Sequence, residues 1–221
     1  YLHQESGFSS TQEAEVHIQS DINNSYSQEH QFYNTEIFEK NHKVKYAGDD
    51  YVSGYIEDDV SIEFSELIVE YKDDKNKKDK KTNYLFKGIL YKAKLPFIFP
   101  INFIIEPLNY TTNHKEYYVT DNSEFNKKFQ IRILTKSEYN PSLFLTSELL
   151  DNIVKFSEKS NFNIHLSFID SHLHAAIHHD KDLFEPHVFS SNKRYDLIYT
   201  HYHDLNFPIT LFQNILNNKQ F

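Results

Sequence analysis

Between Val60 and Leu95 apolar and polar residues alternate with the period of a β-strand, whereas towards both ends the apolar residues recur at the three- and four-residue steps of a helix. Val60, Ile62 and Phe64 alternate with Ser61, Glu63 and Ser65, which predicts a half-buried strand that Leu67 to Tyr71 continue past a bulge. Tyr84 to Leu95 returns as its antiparallel partner, with Leu85, Ile89 and Tyr91 pointing inward. The run from Lys72 to Lys81 between them holds no apolar residue and reads as a solvated hairpin tip. Ile101–Ile105, Tyr117–Thr120 and Gln130–Leu134 are further short strands, with a turn-rich loop over Pro107–Lys115 and a helical turn near Ser123–Phe129. Asn163–Phe168 and His172–Ile177 form two strands across an Asp170-Ser171 turn.

Three helices are predicted around these strands. From Ser9 to about Lys40 the residues Ile18, Ile22 and Tyr26, then Tyr33 and Ile37, fall at four-residue steps, the stripe of a long amphipathic helix capped by Ser9, Ser10 or Thr11. Ser142 to Ser160 places Leu145, Leu149, Ile153 and Phe156 on one face, behind Pro141. A last helix covers about Arg194 to Asn217, where Pro208 must kink or divide it. The order predicts an α+β fold: an antiparallel β-sheet packed by helices, with a long N-terminal helix and a C-terminal helix. Residues 1–41 would be a helical lead-in and residues 42–221 a single α+β domain.

Composition narrows the function classes. The net charge of −9 argues against nucleic acid as a partner, because phosphate contacts need clustered Lys and Arg. Without cysteine there is no thiolate nucleophile and no Cys-ligated metal. The longest apolar run, Leu95–Ile105, is broken by Pro96, Pro100 and Asn102 and falls short of the roughly 20 residues of a membrane-spanning helix. No Gly-rich phosphate loop and no serine-hydrolase elbow occurs.

Several segments together resemble one family: DDYVSG at Asp49–Gly54, EFSELIVEY at Glu63–Tyr71, FKGILY at Phe86–Tyr91, SEFNKKFQI at Ser123–Ile131, FLTSELLDNIVKF at Phe144–Phe156, LSFIDSHLHAAI at Leu166–Ile177 and DLFEP at Asp182–Pro186. Their order and spacing, from about Phe32 onward, resemble the domain of unknown function family 3137. The resemblance implies a soluble domain of a membrane-anchored bacterial protein facing the cytoplasm, with the membrane reached through segments upstream of this chain. It implies no catalytic residues.

Histidines are the main chemical lead. His165, His172, His174, His178 and His179 crowd into one short stretch, and on a strand Asp170, His172 and His174 would share a face. With His178, or with His201 or His203, these donors fit Zn or Fe; otherwise no cofactor is expected. Asp49 and Asp50, and Glu57, Asp58 and Asp59, are turn carboxylates by the simplest reading, with Asp49, Asp50 and Ser53 the binding candidates of that region. Glu185 in the DLFEP loop is a further binding candidate. Gly48 and Gly54 allow turns, and Gly88 marks a bulge or a close approach within a strand. The reading that follows is a non-catalytic module for a protein or lipid-like ligand. The alternatives are a metal-dependent hydrolase built on Asp170, His172 and His174, and an apolar ligand held between the sheet and the Phe144–Phe156 helix.

Overall fold

The structure, a computed structural model, describes residues 16–18, 32, 34–38, 44–56, 60–71, 83–110, 117–160, 163–179 and 194–217. Its strands are β1 (Val16–Ile18), β2 (Val44–Ile56), β3 (Val60–Tyr71), β4 (Asn83–Lys94), β5 (Phe103–Pro107), β6 (Tyr117–Tyr118), β7 (Phe129–Ile133), β8 (Ile164–Ile169) and β9 (His172–His178). The helices are α1 (Ser123–Asn126), α2 (Ser147–Ser160) and α3 (Arg194–Asn217). All strands join one 9-stranded sheet in the order β1-β2-β3-β4-β9-β8-β5-β7-β6, and every neighbouring pair is antiparallel.

This corrects the expected fold class. A large antiparallel sheet dominates in place of an α+β arrangement led by a long N-terminal helix. Val16–Ile18, inside the segment read as that helix, is an edge strand paired with Val52–Gly54 of β2. Further on, Thr35 turns the chain back by donating from its Oγ1 to the Phe32 carbonyl at 2.7 Å, and Glu36 takes a positive φ of 53° that a helix cannot continue through. Phe32 lies in a helical turn that ends at Thr35, and Ile37 and Phe38 are buried beyond that turn, so in this strap Ile37 does not continue one helical face.

Side-chain alternation gives the sheet two different faces. The first carries Ile62, Ile89, Tyr91, Ala93, Phe103, Ile105, Ile131, Leu166, Phe168, Leu173, Ala175 and Ile177, in one core with Phe125 of α1, Leu149 and Ile153 of α2, and Leu211, Phe212 and Ile215 of α3. Helix α2 starts later than its periodicity implied: Pro141–Leu143 forms a separate 3-10 turn, and the Thr146 hydroxyl then accepts from Leu149 N–H at 3.2 Å as the cap. Phe156 stacks on Phe207 of α3 with centroids 3.6 Å apart, joining the two helices. Helix α3 runs through Pro208 as one element.

The second face has a smaller apolar cluster, where Phe32, Ile37 and Phe38 of the strap cover Leu67, Val69, Phe86, Leu90, Ile104 and Ala176. Arg132 ties the strap down through a 3.3 Å bond to the Glu36 carbonyl. Beyond that cluster the face carries Ser53, Glu63, Lys92, Lys94, Ser167, His172 and His174, with Ile169 opposite His172.

Gly88 has the close approach foreseen for it. Its φ is 152°, and a Cβ there would overlap the Ile177 carbonyl oxygen and sit 2.9 Å from the His179 nitrogen. Only glycine lets β4 and β9 close at this point.

Candidate functional site

On the second face, register alone lines up a polar row across the central strands. Ser53 of β2 pairs with Glu63 of β3, Glu63 with Lys92 of β4, Lys92 with His174 of β9, and His174 with Ser167 of β8. One step along, Lys94 pairs with His172. Directly opposed side chains have Cβ atoms about 4.5–5.5 Å apart, so each neighbour in the row is within reach of the next.

The depth of the row varies along its length. Ser167 and His174 are buried and joined by a 3.0 Å contact between Ser167 Oγ and His174 Nδ1. Burial, followed by the charges of His172 and Lys92, lowers the His174 pKa to about 3, so the imidazole is neutral. His172 is half-buried and stacks on His174 with ring centroids 6.0 Å apart. Its pKa is lowered first by burial and then by Lys92 and Lys94, against the opposing pull of Asp170 and Glu63. The Tyr51 hydroxyl is raised by burial and then by the Glu63 charge, with a hydrogen bond to Ser53 acting the other way. Tyr51, Glu63, Phe64, Ser65, Leu90, Lys92 and His174 line a cavity of about 10 Å³, room for a single water molecule.

Two of the residue sets singled out from the sequence therefore meet. Ser53 and the pair His172 and His174, separated by most of the chain, stand on one face across four adjacent strands. Asp170 does not join them as a ligand. It turns the hairpin with a positive φ of 51°, and its carboxylate and backbone N–H are held by the Asn102 side chain at 3.2 and 3.0 Å. His178 lies two rows away under the strap, its ring 5.2 Å from that of His165 and 4.9 Å from that of Phe86. Among the described residues no three His, Asp or Glu side chains converge on a point that a metal ion could occupy. Asp49 and Asp50 lie in β2, but their side chains, like those of His201 and His203, are outside the described residues, as is Glu185.

The Ser167–His174 contact has the composition of a nucleophile and base, yet Ser167 is fully buried, so a substrate carbonyl has no approach to its oxygen. The interface between the sheet and α2, read as a place for an apolar ligand, is filled by Leu149, Leu150, Ile153 and Val154.

Tyr51, Glu63, Lys92, Lys94 and Ser167 were not singled out from the sequence. The polar beat of β3 and β4 carries Glu63, Lys92 and Lys94, but alternation shows only that such residues leave the core together. It does not say which strand stands beside which.

A second buried polar group flanks the row. Glu106 and Arg132 form a salt bridge at 3.1 Å with side chains 0% and 4% exposed, and Gln130 donates to the same carboxylate at 2.9 Å. His165, 1% exposed, lies between Phe38, Tyr110 and His178, and neither of its ring nitrogens has a hydrogen-bond partner among the described residues. Burial, then the positive fields of His178 and Arg132, holds its pKa well below the ordinary value.

A family model described as "Protein of unknown function (DUF3137)" matches residues 84–216, more than half of the chain. The chain belongs to the DUF3137 family. The match begins at Tyr84, so the DDYVSG and EFSELIVEY segments of β2 and β3 lie before it, while the DUF3137 part contributes Lys92, Lys94, Ser167, His172 and His174 to the row. No curated protein and no solved structure matches the chain.

Proposed function

We propose that the chain is a non-catalytic binding module that docks a polar partner on the second face of its sheet, over β2, β3, β4 and β9. The observation that carries this reading is the row Ser53–Glu63–Lys92–His174, flanked by Tyr51, His172 and Lys94. Helices cover the first face, but here a fixed grid of donors, acceptors and charges stands on rigid strands, the arrangement that holds a partner at low entropic cost. Family resemblance supports placing the module on a membrane-anchored bacterial protein at the cytoplasmic side, with a protein or lipid-like partner. Among the described residues no helix is long and apolar enough to cross a membrane, so such an anchor would lie in other segments.

Photo-crosslinking in a native host tests the docking face. A photoreactive residue at Tyr51 is expected to give discrete adducts that Lys92→Glu abolishes, whereas one at Lys155, exposed on α2, gives none. Equal adduct yields at the two positions, or none at Tyr51, would refute the reading.

A further inference from the structure

We propose that Lys92 and Lys94 of β4, together with His172 of β9, form a subsite for a phosphate-type oxyanion, a proposal that deepens the docking-face reading and rests on it. Lys94 and His172 are direct cross-strand partners, and Lys92, two residues along the same strand, flanks them on the same face. The decisive contrast lies in how the local charges are satisfied. Glu63, across from Lys92, shares a hydrogen bond with the Tyr51 hydroxyl, and Asp170 accepts from Asn102 Nδ2 at 3.2 Å. Both nearby carboxylates are thus engaged by neutral protein donors. Neither Lys92 nor Lys94 forms an ion pair or a hydrogen bond with a described residue. Lys92, Lys94 and His172 thus gather three nitrogen donors on one face of a chain whose net charge is −9.

The donor set also selects the anion. Ammonium groups are point charges with donors that rotate freely, and the His172 ring adds an N–H from the neighbouring strand. Donors arriving from three separate side chains suit a tetrahedral group with oxygens in several directions, whereas a planar carboxylate is matched by the fork of an arginine. His174 stays out of the binding set, because Ser167 fixes its Nδ1 and the ring is buried and neutral. The same chemistry is offered by a free phosphate monoester and by the headgroup of an anionic phospholipid.

The test follows backbone amide shifts of the ¹⁵N-labelled chain on addition of inorganic phosphate, against chloride at matched ionic strength and neutral pH. Saturable shifts are expected at residues 92–94 and 172–174. In Lys92→Gln/Lys94→Gln they should need about tenfold more phosphate, a difference of about 1.4 kcal/mol. Lys155→Gln, on α2 and away from this face, should bind as wild type and shows that losing an exposed lysine does not by itself remove the response. In a parallel arm the chain is sedimented with phosphatidate and with phosphatidylcholine vesicles. Capture by phosphatidate without a response to inorganic phosphate assigns the subsite to a lipid headgroup, and a response to inorganic phosphate alone assigns it to a soluble phosphate. Absence of both, or equal responses in wild type and the double variant, overturns the proposal. Adducts at Tyr51 that persist when neither probe binds would overturn the subsite and leave the docking face standing. Phosphate binding without such adducts would do the reverse.

Discussion

Acidification should unfold this protein by a route that two particular imidazoles dictate. His165 and His174 are buried and neutral, each with its pKa pushed below the ordinary 6.5, mainly by burial. In the unfolded chain both take up a proton near that ordinary value, so below it the unfolded state binds more protons than the folded one. Stability is therefore complete above pH 6.5 and is lost as pH falls, down to the folded-state value, which for His174 is about 3. Each such group contributes a slope of about 1.4 kcal/mol per pH unit in that window. From pH 6.5 to 5.0 the loss is roughly 2 kcal/mol for His174, and His165 adds to it in the same direction. A marginal domain has on the order of 5–15 kcal/mol in total, so the effect is large.

The assay is urea unfolding at pH 7.5 and 5.0, followed by the fluorescence of the 16 tyrosines in a chain without tryptophan. His165→Leu separates the two shares. It removes two ring nitrogens that lack partners, so at pH 7.5 the variant should be at least as stable as wild type. Between pH 7.5 and 5.0 it should lose less stability than wild type loses. Equal losses in the variant and wild type would refute the reasoning for His165. A wild-type protein that gains stability on acidification would refute the sign for both.

Three further outcomes follow from the packing. Gly88→Ala should cost on the order of 3 kcal/mol or more in urea unfolding, because the new Cβ meets the backbone of β9 and the φ of 152° is foreign to alanine. Arg132→Met should cost about 3–5 kcal/mol by stranding the Glu106 carboxylate, and adding Glu106→Leu should recover most of the loss. Phe38→Ala removes a ring that stacks on Phe32 at 4.6 Å; a cost of about 3–5 kcal/mol is expected, with faster hydrogen exchange at the Ile37 amide, which is bonded to Thr35 Oγ1.

The sequence was legible where a structural choice is local. The hairpin of β8 and β9 follows from two apolar runs around Asp170-Ser171, and the pairing of β3 with β4 from alternation on either side of a charged stretch. The N-terminal helix failed because its stripe was sparse in a segment rich in Asn, Ser and Gln, where a spacing of four carries little burial information. The strap that replaces part of it is fixed by Arg132 and by rings of β2 and β4, partners that no local period reveals. The site was half legible for the same reason. Ser53 stood out alone and His172 and His174 as a pair, but the row that unites them depends on β4 pairing with β9, a contact between distant segments.

The two faces of the sheet obey different rules. On the first face the strands and helices bury apolar side chains, with Glu66 the one buried charge of the strands among the residues whose side chains are described. On the second, Ser65, Glu106, Arg132, His165, Ser167 and His174 are buried within the same strands. Packing alone does not call for them, since apolar residues of similar volume in place of a buried ion pair are neutral or stabilising, and an imidazole without partners costs stability outright. Departures from consistent packing concentrate where a protein does something other than fold. A sheet that needed only to be stable would make both faces like the first. This one buries Ser167 and His174 in the row itself and sets Glu106, Arg132 and His165 beside it on the same face.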